Sequence, residues 1–134
     1  MDVYLSRSAL IQLKTIFLFS SSAEGILSGH RQGQRYFVEN ITAVSGALTL
    51  PMEKHLQMQD LLQDSFLGYF SSPPLEDLKN KVLGPSVLGK VILEVTAFPA
   101  QKDGLQAYVI EYDGAFILSP IKSKIEKSRQ KDLL

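Results

Sequence analysis

Few residues in this chain are of a type that performs chemistry unaided. His30 and His55 are the two histidines, 25 positions apart. With no second histidine within a helical turn of either, neither nucleates a zinc site at the usual short spacing, and each reads as a surface or turn residue. Glu53 and the Glu76-Asp77 pair could serve as acid/base carboxylates. They also fall where helices are expected to begin, and a helix N-terminus attracts acidic side chains for electrostatic reasons alone. The stretch Gly25 to Gly33 carries glycines but has neither the G-x-G-x-x-G nor the G-K-[ST] spacing that cradles phosphate. The absence of cysteine removes disulfides, thiolate zinc sites, iron–sulfur ligation and a cysteine nucleophile. The 14 Lys+Arg and 14 Asp+Glu cancel to a formal net charge of zero. That balance argues against a dedicated nucleic-acid surface, which needs concentrated positive charge.

The elements that must position these residues can be read from pattern. A chain of 134 residues, 45% of them hydrophobic, makes one domain with one core. No apolar run approaches the roughly 20 residues that cross a bilayer, so the expectation is a soluble, cytoplasmic protein with no membrane contact. The opening 25 residues imitate a secretory signal, but Gln12 and Lys14 interrupt the run. Leu10, Leu13 and Phe17 recur at helical spacing, which predicts an amphipathic helix over 7–20 capped by Ser6 or Ser8. Strands are expected at 25–29 and 35–44, forming a hairpin around His30-Arg31-Gln32-Gly33-Gln34. A helix opened by Pro51 runs to Asp64, followed by a strand at 65–70, a short helix at 75–83 stopped by Gly84-Pro85, and a strand at 90–97. A last hairpin, 105–112 with 115–118, turns at Asp113-Gly114. The domain is drawn at 1–120. The segment 121–134, with five Lys/Arg against Glu126 and Asp132, is expected to be a basic helix or tail.

The order of these elements, together with two segments, resembles the MPN (JAB/JAMM-like) domain of the metalloproteases that remove ubiquitin-like modifiers. Gly25-Ile26-Leu27-Ser28-Gly29 looks like that family's G-L-L-x-G strand. Gly68-Tyr69-Phe70-Ser71-Ser72-Pro73-Pro74 looks like its G-W-Y-H-S-H-P segment, and 89–95 and 105–110 look like its later strands. The fold class the resemblance implies is α/β (α+β): a mixed, cytidine-deaminase-like sheet flanked by helices.

Carried across residue by residue, the resemblance implies a site without its chemistry. The general-base glutamate falls on Ser22, with Glu24 nearby, and the histidine ligands fall on Ser71 and Pro73. The aspartate ligand falls on Gly84 or Gly89, and only Ser72 matches. Neutral serine and proline do not supply the three protein ligands that a catalytic zinc requires, so no metal and no cofactor are expected. The resemblance then implies a catalytically inactive module for protein interaction or assembly, pairing with itself or a homologous partner. Ile11, Phe19, Met52 and Met58 exceed what one core-facing stripe needs and are the candidate interface. Two other readings compete: a metal-dependent hydrolase using His30, His55, Asp77 or Glu24, and a small-ligand sensor using the emptied cleft.

Overall fold

The computed structural model describes residues 1–20, 22–47, 52–72, 87–95 and 105–125. Strand β1 (Asp2–Leu5) leads into helix α1 (Arg7–Phe19). The hairpin of β2 (Glu24–Gln32) and β3 (Arg35–Ala43) follows, then α2 (Met52–Leu62), a single 3-10 turn, and β4 (Phe66–Ser71). The chain ends in β5 (Val91–Val95), β6 (Leu105–Tyr112) and β7 (Phe116–Ile125).

The seven strands close into a barrel in the order β1-β3-β2-β4-β5-β6-β7. This corrects the expected α/β sheet flanked by helices: the protein is mostly β, and its sheet closes on itself. The cause is the N-terminal segment 2–5, to which the sequence pattern assigns no element. Asp2–Leu5 pairs in parallel with Arg35–Val38 of β3 on one side and with Lys122–Ile125 of β7 on the other. One four-residue strand therefore joins the two ends of the sheet and shortens the unpaired backbone edge that an open sheet would present. Strand β7 extends to Ile125, so residues 121–125 of the segment assigned to a basic tail are barrel strand. The expected helix at 75–83 and residues 126–134 lie outside the described residues.

The start of α1 has a local cause. Ser6 is extended and its side chain accepts a hydrogen bond from the Ala9 N–H at 3.0 Å, satisfying one of the free donors at the helix start. Beyond Val38, β3 has outrun β1, so its backbone on that side needs other partners. Gln12 supplies one: its Oε1 accepts from the Ile41 N–H at 2.7 Å, fixing α1 across the strand. The β2–β3 register slips by one residue between Ser28 and Gly29. The resulting bulge at Glu39 shifts the buried side chains of β3 from Tyr36 and Val38 to Ile41.

Two apolar clusters hold the barrel. The first draws on every strand: Val3 and Leu5, Leu27, Tyr36 and Val38, Phe70, Leu93, Ala107 and Ile121, with Ala9 and Leu13 of α1 packed against them. It fills the inside. The second lies on the outer face of β2, β4, β5, β6 and β7, where Ile26, Tyr69, Ile92, Ile110 and Leu118 meet Met58 and Leu62 of α2 and Val87. Strands β4 and β5 are covered on both faces for this reason, which explains the unbroken apolar runs Phe66–Phe70 and Val91–Leu93. At Gly68 the φ angle is +156° and a Cβ would run into the Val91 backbone carbonyl, so only glycine lets β5 approach β4 there.

Candidate functional site

The residues matched to the metalloprotease motif meet only in part. β2 and β4 are antiparallel neighbours, with Glu24 opposite Ser71; on the other side, Ser71 is opposite Glu94 of β5. Cross-strand partners share a face, and Ser71 lies two residues beyond the outward-facing Tyr69. Glu24, Ser71 and Glu94 therefore form one row on the outer face. Ser71 is fully buried, and its Oγ has no hydrogen-bond partner among the described residues.

Ser72 and Ser22 are brought together, but for structural work. The Ala23 N–H donates to the Ser72 Oγ at 2.8 Å, the Ser72 N–H donates to the Ala23 carbonyl at 3.0 Å, and the two serine Oγ atoms are 3.3 Å apart. Ser72 thus extends the β2–β4 ladder by one rung. A cleft of about 390 Å³ beside these residues is lined by Ile16, Ser20, Ser22, Ala23, Glu24, Ala43 and Ser45. The donor set does not fit a catalytic zinc: the neutral hydroxyls of Ser22 and Ser72 in contact with each other, the buried neutral hydroxyl of Ser71 and two carboxylates separated by a strand. Among the described residues no group of three His, Asp or Glu side chains could hold a metal ion.

Gly89 is far from this row. It precedes β5, whose Val91 is paired with Gly68 near the start of β4, whereas Ser71 ends β4. Pro73, Gly84 and Asp77 lie outside the described residues, as do the side chains of His55 and Met52. His30 is on β2 at the opposite end from Glu24, exposed, with Nδ1 2.6 Å from Glu39 Oε1 and its ring stacked on Phe37. Of the candidate interface residues, Ile11 is 54% and Phe19 84% exposed, together with Leu18 at 77%. Met58 packs against the second cluster.

A second and larger cleft, about 490 Å³, opens at that opposite end and was not signalled by any motif. Gly29, His30 and Arg31 of β2, Tyr36 of β3, residues 64–67 and Gly89-Lys90 line it. The Tyr36 hydroxyl donates to the Gly89 carbonyl at 2.7 Å, and the Arg31 guanidinium lies over the Tyr36 ring at 4.7 Å. Lys90 Nζ donates to the Phe66 carbonyl at 2.8 Å and sits 5.0 Å from the centre of the Phe66 ring. Burial lowers the Lys90 pKa from its ordinary value, and the Arg31 charge pushes the same way against the pull of Asp64. Sequence reading places Arg31 in a turn and Lys90 at the start of a core strand. Only the bulged hairpin and the β4–β5 pairing bring the two charges to one cleft.

No family model and no curated protein matches the sequence. Among solved structures the chain is similar to the solution structure of protein DSY2949 from Desulfitobacterium hafniense, a structural-genomics target, at 16% identity and a TM-score of 0.56 over 94% of each chain. At that identity the likeness extends to the fold alone, which the chain shares over nearly its whole length.

Proposed function

We propose that this barrel is a non-catalytic interaction module that associates with a second copy of itself through the outer side of α1. The observation carrying this reading is the exposed apolar group Ile11, Leu18 and Phe19. Ile11 and Leu18 are two turns apart on one side of the helix, opposite the buried Ala9 and Leu13. A monomer gains nothing from holding such side chains in water, since each Å² of apolar surface removed contributes about 25 cal/mol. The motif positions support the same reading from the chemical side, because Ser71 is buried in packing, Ser72 continues the strand ladder and the Ser22 hydroxyl meets only that of Ser72. The hydrolase alternative has no comparable support: His30 faces Glu39 at the far end from Glu24.

Light scattering over a hundredfold concentration range tests the reading. The mass is expected to rise toward twice the monomer and to return to monomer in Phe19→Asp and Leu18→Asp, both exposed positions at which a carboxylate leaves the fold intact. A monomer at every concentration overturns it. So does a dimer indifferent to both substitutions.

A further inference from the structure

We propose that the cleft between the hairpin end of β2 and the start of β4 and β5 is a binding site for a small phosphate-bearing molecule, held by Arg31 and Lys90. This is independent of the self-association reading and uses the opposite end of β4 from Ser71, roughly 17 Å away at about 3.3 Å per residue. Four observations carry it.

The first is volume: about 490 Å³ falls within the range of roughly 300–1,000 Å³ typical of small-molecule sites. The second is charge. Two cations, Arg31 and Lys90, line the cleft against one carboxylate, Asp64, and neither makes an ion pair within 4.0 Å among the described residues. Two like charges held together across a cleft stand in each other's way unless an anion comes between them.

The third is unused donors. The Arg31 Nε donates to the Gly33 carbonyl at 2.8 Å, while the two Nη groups make no hydrogen bond to protein among the described residues; Lys90 spends one of its three N–H donors on the Phe66 carbonyl. The planar Nη pair matches two oxygens of a phosphate, and the lysine adds a point charge. The fourth is pre-organisation. Arg31 is held over Tyr36, whose hydroxyl is tied to Gly89, and Lys90 is held over Phe66, so both cations are already positioned before any ligand arrives. A phosphate is favoured over a simple carboxylate because its higher charge and third oxygen can engage both cations at once. His30, on the rim and facing Glu39, is placed to contact the remainder of the molecule.

The test is an NMR titration of the whole chain with inorganic pyrophosphate, and separately with acetate and with chloride at matched ionic strength. Saturable shifts are expected at the amides of Gly29, Arg31, Gly89 and Lys90 with pyrophosphate, and only small non-saturating ones with acetate or chloride. Arg31→Gln, at an exposed position, should weaken pyrophosphate at least tenfold, about 1.4 kcal/mol. Lys90→Gln should do the same, with the thermal midpoint of each variant recorded to show that it is folded. Lys14→Gln on α1 should change nothing. Equal, non-saturating shifts with all three anions would overturn the proposal, as would pyrophosphate affinity unchanged in a folded Arg31→Gln variant. Saturation by acetate at the same amides would overturn the phosphate assignment.

Discussion

At the scale of single residues, Ser71 decides what the motif-like segment does. A buried hydroxyl without a partner costs stability, about 1–3 kcal/mol when its desolvation is uncompensated. Ser71→Ala is therefore expected to be neutral or to stabilise by up to about 1 kcal/mol in denaturant unfolding; a loss above that would show that the hydroxyl has a structural partner. Ser71→His with Pro73→His should yield neither zinc at unit stoichiometry by elemental analysis nor cleavage of an isopeptide substrate. The base position, Ser22, would remain without a carboxylate, and catalytic groups of this kind act as a unit. Burial raises the pKa of Tyr36 and of Tyr69 above the ordinary phenol value. For both, the folded state favours the neutral phenol, so the stability they contribute is intact below about pH 10 and is lost as pH climbs beyond it. Tyrosinate absorbance on alkaline titration should show Tyr36 and Tyr69 ionising only together with unfolding, whereas an early, unfolding-independent appearance of all five tyrosines would contradict their burial.

At the scale of elements, α1 and β1 are the sensitive ones. Removing the Ser6 cap with Ser6→Ala should cost about 1 kcal/mol. Leu13→Ala, which empties a fully buried position between helix and barrel, should cost about 2–5 kcal/mol. Chemical denaturation of both variants gives the comparison, and equal costs would mean that α1 is not packed as described. The same elements show what could be read in advance. Helix α1, the β2–β3 hairpin and the β6–β7 hairpin were legible because each carries its own local signal: a capping serine with helical apolar spacing, and turns at Gly33 and Asp113-Gly114. The short strand 2–5 was not, because four residues show too little alternation to separate from the approach to a helix, and its partners lie 33 and 120 residues away. Barrel closure depends on that one strand, so the error in a four-residue segment became an error in fold class. The bulge at Glu39 and the cleft holding Arg31 and Lys90 were hidden for a related reason: both are consequences of register, which single-sequence periodicity does not specify.

At the scale of the whole molecule, the barrel offers two separate surfaces: the apolar outer side of α1 and the cationic cleft at the hairpin end of β2. Closure through β1 joins the two ends of the sheet and leaves little strand edge for a partner to extend, which favours association through side chains. Self-association through α1 requires that a second copy cover Ile11, Leu18 and Phe19. Isotope-filtered NOE spectroscopy on a mixture of labelled and unlabelled protein tests it most directly, since it detects only contacts between different copies. Intermolecular cross-peaks are expected from the Leu18 methyls and the Phe19 ring to α1 of the other copy. A spectrum without such cross-peaks at millimolar protein, or one whose intermolecular contacts all arise from other faces of the barrel, would contradict it.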